Sequence, residues 1–249
     1  AHNLKVGGSN PSPATNLKVK TYLVMKKKIG NPEILNNQLI KKINDTKIDL
    51  FYIKNKSDFR DTILDNLNSH ESILDIGKGM REKFIQIKSK NVETLDVNQF
   101  DGYPDIIFDL CDDLDISLVK KYDKIICLAI LEHVYNPFKA VNNLKEMLTN
   151  NGIIYGYAPY LYHYHAPKSL KFQDYFRFSK DALIYLFKDF SEITLFPIRG
   201  RVSTPLNMLF AGRWKKYIEK TSINIFLDKF CSDEKNLKQC SGFNFIVKK

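Results

Sequence analysis

Ser72-Ile73-Leu74-Asp75-Ile76-Gly77-Lys78-Gly79 decides the fold, together with Val92-Glu93-Thr94-Leu95-Asp96 further along the chain. An apolar strand running into Asp-x-Gly-x-Gly, followed by a second strand ending in an acid, is the layout of a nucleoside-binding α/β half-sheet. Gly77 and Gly79 let the backbone pass close under a ligand without Cβ interference. Asp96 can accept hydrogen bonds from both hydroxyls of a ribose lying across the carboxyl ends of the strands. A dinucleotide fingerprint needs a further glycine, but that position holds Glu82, which repels a pyrophosphate. Asp75, two residues before the first glycine, suits a cationic ligand carrying a free amino group.

This block resembles motif I of the class I S-adenosylmethionine (SAM) dependent methyltransferases, and three later blocks follow in the family's order. Pro104-Asp105-Ile106-Ile107-Phe108-Asp109-Leu110 looks like the third strand, and the resemblance implies that Asp109 and the Leu110 amide meet the adenine. Tyr122 to Leu128 looks like the fourth strand, entering Leu131-Glu132-His133-Val134, the family's "LEHV" element. Asn150-Asn151-Gly152 to Pro159 resembles the "pGG" turn and fifth strand. Asp174-Tyr175-Phe176-Arg177-Phe178 is similar to the "DYxRF" element of a type 11/23-like subgroup found among surface-polysaccharide enzymes. The resemblance covers about residues 75–179. It implies SAM as cofactor, bound through Asp75, Gly77, Gly79, Asp96, Asp109 and Leu110. The expected fold is Rossmann-like α/β, a doubly wound, seven-stranded, mostly parallel sheet with an antiparallel last strand.

A hydrophobic share of 44% and an aromatic share of 12% over 249 residues permit a sizeable core. The longest apolar run, Ile125 to Leu131, is far short of the roughly 20 residues a membrane span needs. The four cysteines form no Cys-x-x-Cys pair, against both a zinc knuckle and a disulfide framework. The chain therefore reads as cytoplasmic. A net charge of +10 favours acidic partners, with peripheral contact to anionic membranes left open. The lysines are scattered rather than striped, and spread charge supplies only non-specific nucleic-acid affinity, so nucleic acid is not the expected partner.

Residues 1–24, with Gly7-Gly8-Ser9-Asn10-Pro11-Ser12-Pro13, lack apolar periodicity and read as a non-native or disordered tail, Met25 being the expected start. Residues 25–249 are expected to form one domain. Helices are predicted around Glu33 to Ile43 and over Asp58 to Asn68, where Phe59, Ile63, Leu64 and Leu67 share a face. A short helix should follow Gly79 with Phe84 and Ile85 inward. Another should run from Pro137 to Leu148 with Phe138, Val141, Leu144 and Leu148 on one face. Ser179 caps a helix through Phe187, and Ile193 to Phe196 pairs with Phe243 to Val247 as the last hairpin. Between those strands a helical insertion at about 203–230 is expected to cap the substrate side or to form an interaction surface.

Methyl transfer to oxygen or nitrogen needs an aligned nucleophile and a base for its proton. The candidates are His133, His163, His165 and Asp174, of which His163 and His165 lie in Tyr160-Leu161-Tyr162-His163-Tyr164-His165 after strand five. His133 can equally orient its loop, the tyrosines can simply pack, and Arg177 can either pair with Asp174 or meet the substrate. Some methyltransferases hold a divalent ion through Glu-x-x-Glu-His. Here Ala129 replaces the first glutamate beside Glu132 and His133, which disfavours a hard cation, and no metal is expected. Lys78 and Arg81 bring positive charge where the family has small residues. The reading is a SAM-dependent methyltransferase acting on oxygen of a small molecule or of a glycan precursor in polysaccharide biosynthesis. Its rivals are a nucleic-acid methyltransferase, which needs cationic residues of 203–230 along the cleft, and a catalytically degenerate binding or scaffold protein.

Overall fold

The structure, a computed structural model, describes residues 32–55, 57–87, 89, 91–166, 172–209 and 222–249. The expectations for residues 1–24 lie outside these. Packing divides the chain into residues 1–42 and 43–249. The described part of the first unit is helical, within α1 (Pro32–Asp45). In chain order there follow β1 (Lys47–Ile48), α2 (Phe51–Lys54), α3 (Phe59–Asp65), β2 (Ser72–Ile76), β3 (Asn91–Asp96), β4 (Ile106–Ile107) and β5 (Tyr122–Leu128). Then come α4 (Pro137–Met147), β6 (Leu148–Pro159), α5 (Lys180–Leu186), β7 (Glu192–Ile198), α6 (Ser203–Leu209), α7 (Ser222–Lys229), α8 (Asp233–Lys238) and β8 (Gly242–Lys248).

The strands form one sheet in the order β1-β7-β8-β6-β5-β2-β3-β4. Only β8 is antiparallel to its neighbours, β6 and β7; the other pairs are parallel. This is the expected Rossmann-like, mostly parallel sheet with an antiparallel last strand. The described sheet has eight strands rather than seven, because the two-residue β1 adds an edge beside β7.

The central strands are buried on both faces, and their alternation divides the core in two. Leu74, Ile76, Ile125 and Cys127 point into one half with Val141 and Leu144 of α4 and Leu183 and Ile184 of α5. Ile73, Ile126 and Leu128 point into the other with Tyr52, Phe59, Ile63 and Met80. Helices start where the sequence can satisfy free amides: the Asp58, Asn136 and Ser179 side chains accept from Arg60, Lys139 and Ala182. All four cysteines are free thiols. Among the described residues, no helix is long and apolar enough to cross a membrane.

Three local expectations are corrected. The segment after Gly79 is a six-residue 3-10 helix, Arg81–Gln86. Its tighter winding leaves Phe84 against the core and turns Ile85 outward, 89% exposed. In α4 Phe138 faces outward against Tyr185, and Asn143 goes inward to donate to the Leu110 and Asp112 carbonyls. The third strand shrinks to β4, flanked by side-chain bonds, with one more backbone bond from Phe108 N to Asp96 O beyond it. The Asp105 carboxylate accepts from Thr94 N before it, and Asp109 Oδ1 accepts from Cys111 N after it.

Candidate functional site

A cleft of about 480 Å³ opens at the carboxyl ends of β2, β3 and β5. Its floor is the turn after β2. Gly77 (φ +63°) and Lys78 (φ +52°) both adopt left-handed backbone, and Gly77 N donates to Leu95 O at 2.8 Å, tying the turn to β3. A Cβ on Gly77 would meet Ile130 Cδ1 at 2.6 Å, and one on Gly79 would meet Leu128 Cβ at 3.1 Å. The two glycines thus form a cradle that side chains would fill.

Asp75 lies beneath this turn, fully buried, and does not line the cleft. Its Oδ1 accepts from Gly79 N at 2.9 Å and its Oδ2 from Met80 N at 3.3 Å. Burial pushes its pKa up to about 7, against the lowering effect of those two amides and of Arg60 and Lys78. Arg60 Nε donates to Gly79 O at 2.9 Å, so the cradle is held from below by an acid on its amides and a base on its carbonyl. The motif reading did not single out Arg60; it is the second residue of α3, with no local signal of the contact.

Asp96 lines the cleft from the end of β3, opposite the glycines. One oxygen accepts from Asn98 N at 2.8 Å and the other from the Tyr103 hydroxyl at 3.1 Å. Burial and the Asp96 carboxylate raise the Tyr103 pKa, so that hydroxyl stays a donor. The Lys78 ammonium lies 5.2 Å from the centre of the Tyr103 ring, a cation–π contact that turns its charge onto the cleft wall. Arg81, Asp109 and Leu110 also line the cleft.

At the other end the 3-10 turn Leu131–His133 brings His133 to the cleft beside His165, with ring centroids 4.9 Å apart. His133 Nδ1 pairs with Gln173 O at 2.8 Å. His165 Nδ1 lies 3.2 Å from both Asp174 Oδ2 and His163 O. Glu132 sits between the rings, fully buried, with Oε1 3.5 Å from His165 Nε2 and 3.8 Å from His133 Nε2. Glu132 holds the His165 pKa above its ordinary value, opposed by burial. Asp174 stands behind the cleft wall rather than in it, bound to both terminal nitrogens of Arg177. That pair holds its pKa down to about 2. His163 stacks on Tyr162, with ring centroids 4.2 Å apart, and meets the edge of His165 at 6.3 Å without lining the cleft. The structure thus gathers His133 and His165 at the cleft, backs them with Asp174, and leaves His163 off the cleft lining. None of the described residues of 203–230 lines the cleft.

The strand order, with β8 antiparallel between β6 and β7, is that of a class I SAM-dependent methyltransferase-like fold. No family model matches the chain, and no curated protein matches it. Solved structures do resemble it at low identity. The [4+2]-cyclase SpnF is 12% identical, with a TM-score of 0.49 covering 85% of this chain and 93% of that one. A SAM-dependent methyltransferase from Mesorhizobium loti is 10% identical, with a TM-score of 0.48 covering 77% of this chain and 96% of that one. The 1,6-didemethyltoxoflavin-N1-methyltransferase of Burkholderia thailandensis is 12% identical, with a TM-score of 0.44 covering 98% and 93%.

Proposed function

We propose that this chain is a SAM-dependent methyltransferase of the type 11/23-like subgroup. We assign it the O-methylation of a small molecule or of a glycan precursor in surface-polysaccharide assembly. The observation that carries the reading is the pairing of the Gly77–Gly79 cradle with Asp96 across one cleft at the strand ends. A cradle that a Cβ would fill, facing a carboxylate that can bind two vicinal hydroxyls, fits a nucleoside cofactor. Asp96 binds the ribose, Asp109 and the Leu110 amide meet the adenine, and Asp75 holds the cradle in shape. When bound, SAM supplies an electrophilic methyl group on a sulfonium. The chain's own task is then to orient the acceptor and relieve it of a proton.

His165 is the residue best suited to that second task. It lines the cleft, and the two carboxylates beside it, Glu132 and Asp174, favour its protonated form once it has taken the proton. His133 shares the wall and orients the turn through Gln173. Exposed aromatic side chains at Tyr135 and Tyr175 line the same cleft and suit the flat face of a ring or sugar. Lys78, the departure that favours a degenerate protein, is turned onto the Tyr103 ring. Calorimetric titration with SAM tests the reading. Saturable one-to-one binding that Asp96→Ala weakens by about 30-fold or more supports it, and the absence of binding by the parent chain rejects it.

A further inference from the structure

Among the described residues, Glu132 stands out behind the cleft wall as a buried carboxylate with both oxygens unsatisfied. Its side chain is fully buried, and neither carboxylate oxygen has a hydrogen-bond partner. An ionised carboxylate in that state is costly unless another charge compensates it. Its Oε1 lies 3.5 Å from His165 Nε2 and 3.8 Å from His133 Nε2, too far for good hydrogen bonds. Both imidazoles are engaged on their other nitrogen. His133 Nδ1 faces the Gln173 carbonyl, while His165 Nδ1 faces the His163 carbonyl and Asp174. Carbonyls only accept, so each Nδ1 carries the hydrogen and each Nε2 of a neutral ring presents a lone pair to Glu132. Three acceptors then converge with no donor among them, all within 4.8 Å of one another.

We infer that Glu132, His133 and His165 form a binding site for a divalent transition-metal ion. A tetrahedral ion with donors 2.0–2.2 Å away spaces those donors about 3.4 Å apart, close to the 3.5 and 3.8 Å between Glu132 Oε1 and the two Nε2 atoms, and small ring rotations bring the third pair in from within 4.8 Å. Two imidazoles and one carboxylate select a borderline ion such as zinc, cobalt or iron over magnesium or calcium. Ala129, where a second carboxylate is missing, argues in the same direction. Asp174 fixes the far side of His165 while itself held by Arg177. His133 and His165 both line the cleft, so a fourth coordination position opens toward the acceptor. A bound ion would hold an acceptor oxygen and lower its pKa as a Lewis acid, and His165 would then serve as a ligand rather than as the base. That catalytic use rests on the methyltransferase reading; the existence of the site does not.

The test is titration of the chelator-treated full chain with Co²⁺ and Zn²⁺, followed by the visible absorption of bound cobalt and by calorimetry. The expected result is one equivalent bound with a nitrogen/oxygen ligand spectrum. Glu132→Gln and His165→Ala each weaken binding at least tenfold, and His163→Ala leaves it at the parent value. Circular dichroism and melting of the metal-free variants check folding; should Glu132→Gln unfold, His165→Ala on the cleft wall carries the comparison. No saturable binding by the parent, or parent-like binding by His165→Ala, overturns the inference. Titration with SAM on the same samples separates the two readings, since metal binding without SAM binding rejects the proposed function and leaves the metal site standing.

Discussion

Asp75→Asn isolates one buried acid whose titration is coupled to folding. The folded chain raises this carboxyl from 3.8 to about 7, chiefly by burial, and its side chain has no exposed surface. Such a group binds its proton more tightly folded than unfolded. Its contribution to stability is therefore fully present below about pH 4 and is lost as the pH rises through 7. A shift of that size corresponds to about 4 kcal/mol between the ends of the window, an order-of-magnitude figure. Asparagine at 75 does not titrate. Its carbonyl can still accept from Gly79 N, but its amide faces Met80 N as a second donor, at a cost of about 1 kcal/mol. The variant is thus expected to be slightly the less stable near pH 4. The curves should then cross and leave it ahead by about 3 kcal/mol at pH 8. Urea unfolding of both chains at intervals from pH 4 to pH 8 reads this directly, because shared titrations cancel in the difference. A difference that stays flat across the window refutes the reasoning. SAM affinity measured at pH 8 adds a second readout: a change below tenfold fits an acid that only shapes the cradle, and a far larger loss fits direct contact.

Asp96→Ala is expected to cost about 2–3 kcal/mol of SAM affinity, roughly 30- to 150-fold, by calorimetry, because a charge-assisted pair to two hydroxyls disappears. Gly77→Ala places a methyl 2.6 Å from Ile130 Cδ1 on left-handed backbone and should lower stability by about 1–3 kcal/mol in denaturant melts; an unchanged midpoint contradicts the cradle. Once an acceptor is in hand, His165→Ala should slow turnover by about 10²-fold or more with SAM affinity unchanged, while His163→Ala stays near the parent rate. Equal losses from the two would mean that the acceptor reaches beyond the cleft wall.

What the sequence made legible is what depends on period and position. The alternation of Ile73 and Leu74, or of Ile125 and Ile126, already divides the core between two faces, and the glycine turn and Asp96 follow from where the strands end. What it did not disclose depends on which of several local bonds wins. The Asp75 carboxylate finds two amides of its own turn, so it goes down rather than out. Asp105 and Asp109 capture backbone amides on either side of β4, and 3-10 winding exchanges the faces of Phe84 and Ile85. The imidazoles of His163 and His165 stand two residues apart, a spacing that an extended strand would put on one face. The segment is not a strand; the two rings stay in edge contact, with centroids 6.3 Å apart, but only His165 lines the cleft.

Arg177 sets which of the two rings reaches the cleft. It donates from Nε to the Tyr162 carbonyl at 3.2 Å and from Nη2 to the His163 carbonyl at 2.8 Å, and it binds both oxygens of Asp174. One planar side chain therefore fixes the backbone of 162–163 against the segment that carries Asp174. With those carbonyls drawn toward Arg177, His163 stacks on Tyr162, and His165 N donates to Asp174 Oδ2 at 2.9 Å. The His165 ring is then held between Asp174 behind and Glu132 beside it, with Nε2 toward the buried carboxylate. Glu132 is itself anchored through its backbone carbonyl, which accepts from Tyr175 N at 2.7 Å, so the "LEHV" turn and the "DYxRF" segment are joined at the cleft. The two elements lie far apart in sequence and read there as separate signatures. In the fold they form one assembly, in which an arginine outside the cleft lining sets the aim of the histidine within it.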